Sequence, residues 1–287
     1  MPLIKSLNHE DMKPRFFAGY KKQMDFGMLI GELAIKQNTE YRILLFGFPG
    51  TGKTLYPQAL TYNLKKEGLD YSLLTVKCNS LRIDSPKHVR SLIKKIESYT
   101  KKGRRVILVL DELDIFAQRR DESEYSVYNT ATGYIMNLLE ERNPSTITLG
   151  ITNNPYKLDV AVRDRFDFPL YFPMQDTDIE SLLKHKKMPK PKETADCLND
   201  MYREDQARSS NRRMLRSLEF IKTINESPDV LNGMKISNNP REMARIIYIN
   251  SGIPILYEEM EDYEGENASI INKSRMLLDI LFGDKKD

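Results

Sequence analysis

The apolar run Ile43-Leu44-Leu45-Phe46 leads directly into Gly47-Phe48-Pro49-Gly50-Thr51-Gly52-Lys53-Thr54. The spacing G-x-x-x-x-G-K-[ST] behind such a run predicts a buried strand, a glycine-rich turn at its carboxyl end and a helix beyond. Glycine admits backbone angles closed to other residues, so several N–H groups can turn toward one anion. The following helix adds the positive end of its dipole. The phosphate-binding set expected here is Gly47, Pro49, Gly50, Thr51, Gly52, Lys53, Thr54 and Leu55. Within it Lys53 reaches the terminal phosphates and the Thr54 hydroxyl ligates Mg2+.

The rest of the first half repeats the strand and helix alternation. Arg42–Phe46, Tyr71–Val76, Val106–Leu110 and Thr146–Ile151 are continuous apolar runs, the mark of parallel strands buried on both faces. Leu170–Phe172 is a weaker fifth. Val89, Leu92, Ile93, Ile96 and Tyr99 recur at helical spacing, as do Tyr134, Ile135, Leu138 and Leu139 before the Asn143-Pro144 stop. The fold class expected is α/β: a parallel P-loop sheet sandwiched by helices, followed by a small all-helical lid domain. Residues 1–40 form an N-terminal approach segment, extended near Phe26 and then helical. Residues 41–173 form the nucleotide-binding domain and 174–258 the lid, with a helix capped by Asn239, Pro240 and Glu242. Residues 259–287 are read as an acidic linker, Glu258–Glu266, and a terminal helix, Ile271–Phe282. Pro57 falls inside the helix after the loop, where a missing donor bends the first turns.

In open parallel sheets ligands gather at the carboxyl ends of the strands, and the chemistry-bearing residues fall there. Val106–Leu110 runs into Asp111-Glu112. Asp111 is expected to hold the Mg2+ shell, and Glu112 to polarise the attacking water as general base. Thr146–Ile151 runs into Thr152-Asn153-Asn154-Pro155, which places an amide at the same edge, either on the phosphate or in an ordinary Asn-Pro turn.

The stretch from Ile151 through Asn153, Pro155, Leu158, Asp159, Ala161, Arg163 and Arg165 to Phe166 resembles the second region of homology of AAA ATPases. Asp111-Glu112-Leu113-Asp114 to Arg119-Arg120 likewise resembles the carboxylate motif of that family. The resemblance covers about residues 41–173 and extends to Asn239–Arg245. It implies ATP as the nucleotide, hydrolysis, and a homo-oligomer, a hexameric ring in the family. It implies a sensor role for Asn153 and a sensor role on the lid for Arg241. It also implies an arginine finger at Arg165, with Arg163 as a second candidate, acting on the nucleotide of the next subunit. Two departures stand out: Asp164 occupies a position where many relatives carry arginine, and Ser80–Lys87 lacks the aromatic residue and glycine of protein-threading relatives.

Three functions remain open on these residues: a ring remodelling protein or nucleoprotein assemblies, a DNA-associated initiator, loader or transposition regulator, and a non-hydrolysing assembly switch. Lys94-Lys95, Lys101–Arg105, Lys184–Lys192 and Arg208–Arg216 are the basic clusters a DNA partner would use, although aromatic interleaving is poor. A net charge of +3 decides nothing between these readings. No apolar stretch approaches a membrane span, and Cys78 and Cys197 belong to no C-x-x-C pair, so a cytoplasmic protein with reduced thiols is expected.

Overall fold

The computed structural model describes residues 4–7, 17, 19–78, 91, 94, 98–99, 103–116, 133, 135–140, 143–174, 178–204, 207–208, 214–219, 239–250 and 255–282. Strand β1 (Ile4–Leu7) precedes helix α1 (Lys21–Lys36), β2 (Tyr41–Phe46), α2 (Tyr56–Lys66), β3 (Tyr71–Lys77) and β4 (Arg105–Asp111). The short helix α3 (Leu113–Phe116), β5 (Thr146–Thr152), α4 (Val160–Arg163) and β6 (Phe168–Tyr171) complete the sheet domain. The strand order is β1-β3-β4-β5-β2-β6. Five strands run parallel, with Phe46 level with Thr152 and Lys77 level with Asp111, so the carboxyl ends of β2, β4 and β5 share one rim. The four strong apolar runs of the sequence are β2 to β5, each extended by a residue or two, and the weaker Leu170–Phe172 is β6 with its start at Phe168 and its end at Tyr171.

Two parts of the N-terminal segment differ from expectation. Ile4–Leu7 pairs antiparallel with β3, a short edge strand whose four residues carry too little pattern to be seen locally. Phe26 lies in the middle of α1, so the extended approach expected there is not formed. Phe26, Ile30 and Ala34 face the core, and Gly27 and Gly31 let α1 approach α2 closely. A Cβ at Gly27 would lie 2.1 Å from the Tyr56 hydroxyl, and one at Gly31 2.4 Å from the Leu64 side chain. Pro57 corrects a third expectation. It occupies the first turn of α2, where its missing N–H has no intrahelical acceptor to lose. Leu55 and Tyr56 N–H both donate to Gly52 C=O, so the turn from loop to helix closes before the proline.

Opposite faces of the sheet bury two cores. Ile43, Leu45, Leu73, Ile107 and Leu149 pack under α1 and α2, while Leu44, Leu74, Leu108 and Leu110 pack against Ile135 and Leu139. At the amino end of the strands lies a buried polar network. The Arg42 guanidinium donates to Glu40 at 3.1 Å and to Leu139 C=O, and Glu40 accepts from Thr148 Oγ1 and Asn143 N–H. Removing the carboxylate strands the arginine in a dry site. Glu40→Ala should therefore lower unfolding free energy by about 3–5 kcal/mol, read by urea denaturation. A loss under about 1 kcal/mol would mean that Arg42 finds other compensation.

The lid gathers α5 (Ile179–His185), α6 (Pro191–Glu204), residues 214–219 and α7 (Pro240–Asn250) around Leu198, Tyr202, Leu218 and Ile247. Asn239 caps α7 as its sequence predicts, accepting from Arg241 N–H at 2.9 Å. A two-residue antiparallel pairing, β7 (Ala207–Arg208) with β8 (Ile255–Leu256), accompanies the helices. The acidic stretch expected as a linker is instead helix α8 (Tyr257–Glu266), and α9 (Ala268–Phe282) follows. Glu258 and Glu259 in the first turn of α8 suit the positive end of its dipole. Ser80–Lys87 and most of the predicted helix from Val89 to Tyr99 lie outside the described residues, as does Tyr134; residues 91, 94, 98–99 and 135–138 are helical.

Candidate nucleotide site

The loop after β2 is held by three glycines at positive φ: Gly47 at 144°, Gly50 at 85° and Gly52 at 101°. Gly47 has a steric reason as well, since a Cβ there would lie 2.4 Å from Phe172 C=O. The Thr51 hydroxyl, buried inside the loop, donates to Phe48 C=O at 3.0 Å. Lys53 is also buried, and its ammonium donates to the carbonyls of Gly47 and Phe48 at 2.7 Å each. The lysine thus rests on the acceptors of its own loop, positioned at the place where an anion would compete for it.

A cavity of about 480 Å³ opens above this loop. It brings together Pro49, Gly50, Gly52, Lys53, Thr54 and Leu55 from the loop, Asp111 and Glu112 from the end of β4, and Asn153 from the end of β5. Thr54 and Asn153 are exposed to it. Gly47 and Thr51 shape the loop from beneath without lining the cavity. The glycine conformations and the buried lysine suit a polyphosphate, and the adjacent carboxylate and hydroxyl suit a hard divalent cation such as Mg2+.

The two carboxylates differ in kind. Asp111 is buried, and loss of solvation, with Glu112 beside it, raises its pKa above the usual carboxylate range, opposed by the Glu112 N–H, Lys77 and Lys53. A raised native pKa means that the folded state binds the proton more tightly than the unfolded chain. The stability from this group is present below the ordinary carboxylate pKa and is lost as pH rises through the native value. Ionised Asp111 therefore weakens the nucleotide-free fold at neutral pH. Asp111→Asn should raise the melting temperature of nucleotide-free protein at pH 7. An unchanged or lower melting temperature in the nucleotide-free variant would refute the burial argument. Glu112 adopts a left-handed backbone at φ 61°, and its Oε2 is buried without a hydrogen-bond partner among the described residues. Strain and an unsatisfied carboxylate oxygen at one residue, on the rim of a cavity, are the signature of a group kept for a ligand.

The three arginines singled out in the sequence stand elsewhere. Arg163 lies over the Tyr156 ring at 5.0 Å, and Arg165 reaches Glu140 at 3.8 Å and Ala161 C=O at 3.5 Å. Neither lines the cavity. Arg241 is exposed in the first turn of α7 and does not line it either; among the described residues the lid contributes Arg216, with Leu215 and Glu219 beside it. Phe17, Asp114 and Leu182 also line the cavity; Asp114 belongs to the carboxylate motif but was not expected in the site, and Leu182 had no local signal of its own. Phe17 is placed by the left-handed turn at Gly19 and Tyr20, and its ring packs on Tyr20 at 5.7 Å and Tyr56 at 5.9 Å. The Phe16-Phe17 pair ahead of a helix was the trace available in the sequence.

A phosphate loop, a carboxylate pair and a polar strand end around one cavity at the rim of a parallel sheet define a P-loop nucleotide-binding protein. Residues 43–174 match the family described as "ATPase family associated with various cellular activities (AAA)". Over these residues the chain is similar to the AAA family of P-loop ATPases. One relative, "Putative 26S proteasome regulatory subunit homolog" of Methanocaldococcus jannaschii, is 31% identical over 59% of this chain and 45% of its own length. Vacuolar protein sorting-associated protein 4A of Rattus norvegicus is 28% identical over 47% of this chain and 30% of its own length. The chain thus spans less than half the length of these curated relatives. The fold is shared with the crystal structure of the FIGL-1 AAA domain, at a TM-score of 0.56 and 16% identity over 93% of this chain and 92% of that one. It is shared also with a chain of the E. coli MS115-1 HORMA:CdnC:Trip13 complex, at 0.59 and 15% identity over 81% and 89%. No described helix is long and apolar enough to cross a membrane.

Proposed function

We propose that the chain binds ATP with Mg2+ in this cavity and hydrolyses it at subunit interfaces of a ring, using the energy to remodel protein or nucleoprotein assemblies. The observation that carries the reading is the convergence of Lys53, Thr54, Asp111, Glu112 and Asn153 on one cavity, with a Glu112 oxygen that no described residue satisfies. ATP supplies the phosphoanhydride, and its Mg2+ neutralises charge between the outer phosphates. Lys53 leaves the Gly47 and Phe48 carbonyls for the phosphates, and Thr54 and Asp111 hold the cation shell. Glu112 takes the proton of the attacking water, and the Asn153 amide orients that water or the phosphate. Phe17, Leu182 and Leu215 offer an apolar wall for the base. Arg163 and Arg165, outside their own cavity, are available to a neighbour's.

A protein-directed role is supported by relatives named for proteasome regulation and vacuolar protein sorting. The DNA reading gains less: in the Lys184–Lys192 cluster, Lys184 already bridges Glu180 and Lys186 bridges Glu219. The test is ATP turnover by the purified chain, alone and with duplex DNA at low and high salt, beside its assembly size with and without ATP. Turnover that rises with ATP-dependent assembly supports the proposal. Stimulation by DNA that salt abolishes would move the function to nucleic acid. ATP-dependent assembly without turnover would leave only a switch.

A further inference from the structure

We propose that Tyr263 is a positioning residue that ties the phosphate loop to the Asn153 strand end, so that docking of helices α8 and α9 sets the geometry of nucleotide turnover. The inference rests on the reading of the cavity as the site of ATP hydrolysis. Its structural half stands without that reading.

Tyr263 comes from the acidic stretch whose sequence suggests a solvated connection. Its ring instead packs on Phe48 of the phosphate loop, with centroids 4.5 Å apart. Its hydroxyl donates to Asn153 C=O at 2.7 Å. One side chain therefore touches the second residue of the loop and the polar residue at the end of β5. Those ends are neighbours in the sheet, since Phe46 is level with Thr152, but their loops leave the rim separately. Tyr263 bridges them, with its ring on one and its hydroxyl on the other.

The anchorage of α8 and α9 is specific. The Tyr171 hydroxyl donates to Glu264 at 2.8 Å, and Arg275 reaches the other Glu264 oxygen at 2.9 Å while lying over the Tyr171 ring. Ser274 Oγ accepts from Tyr171 N–H at 2.8 Å, and Ile271 packs with Phe46 and Tyr171. These contacts fix α8 against β6, the strand beside β2, and deliver Tyr263 to the loop. The Phe48 carbonyl that accepts from Lys53 belongs to the residue whose ring Tyr263 covers. A lysine that must change partners when phosphate arrives thus works against a loop whose shape Tyr263 holds.

The test compares the full chain with its Tyr263→Phe and Tyr263→Ala variants, by steady-state ATPase kinetics and by hydrogen exchange without nucleotide. Tyr263→Phe keeps the ring on Phe48 and loses the hydroxyl. It should lower kcat by about 3–10-fold with little change in KM, and speed exchange in 152–156 more than in 47–54. Tyr263→Ala should loosen both segments and raise KM as well. Protection of 268–282 reports whether α9 stays docked. If the alanine variant undocks it, the phenylalanine variant decides. Unchanged kcat and unchanged exchange in 152–156 for Tyr263→Phe overturn the proposal. If the wild-type chain does not hydrolyse ATP, the functional reading fails while the exchange measurements still decide whether Tyr263 positions the two loops.

Discussion

Glu112→Gln should retain ATP binding and lower steady-state hydrolysis by about 10²–10⁴-fold, the usual contribution of a positioned general base. The substitution preserves the size and shape of the side chain and removes only its ability to accept a proton. Two structural facts make the effect specific to this position. The backbone is held at φ 61°, which directs the residue away from the path of the strand, and Oε2 lies buried with nothing among the described residues to accept from. Asp111, by contrast, accepts from the Glu112 N–H at 3.1 Å and is expected to hold the cation. Binding is measured with a fluorescent ATP analogue and turnover by phosphate release. Turnover within tenfold of wild type would assign the base to another group, and Asp114, which lines the same cavity, is the next carboxylate to test.

What the sequence revealed and what it hid follow from how far apart cooperating residues lie. Strands β2 to β5 are buried on both faces, so each is a continuous apolar run that needs no partner to be recognised. Loop chemistry is equally local, because glycines, lysine and threonine must follow one another to surround a phosphate. Asp111 and Glu112 are legible because their strand stops at the rim. Residues that reach the cavity by tertiary packing leave no such trace. Phe17 arrives through a turn at Gly19 and Tyr20 and Arg216 through a lid helix, while Tyr263 reaches the phosphate loop, outside the cavity lining, through a helix whose acidic composition resembles a linker. Arg241 shows the opposite failure of inference. Asn239 and Pro240 correctly mark a helix start, but a helix start says nothing about where its first turn points, and among the described residues Arg216 is the arginine lining the cavity.

Arg165→Ala should lower turnover by about 10³–10⁵-fold in an assembled ring while leaving ATP affinity nearly unchanged, because a finger acts on charge that develops in the transition state. The resting contacts of Arg165 permit that role. Its bridge to Glu140 spans 3.8 Å with both side chains partly in solvent, and a pair of this kind contributes about 0–1 kcal/mol. Leaving Glu140 for a neighbour's phosphates therefore costs little. Asp164, the exposed C-cap of α4, offers no further arginine, so trans stimulation is expected to rest on Arg165, with Arg163, which lies over Tyr156, as the second candidate. Mixing separates a trans finger from a local one. Arg165→Ala subunits keep an intact phosphate loop, and Lys53→Ala subunits keep an intact finger, so a mixed ring places working loops beside working fingers. Activity above the sum of the two parents, rising with the fraction of mixed interfaces, is the expected result. Strict additivity of two inactive parents would confine Arg165 to its own subunit, where its present contacts give it no route to the cavity.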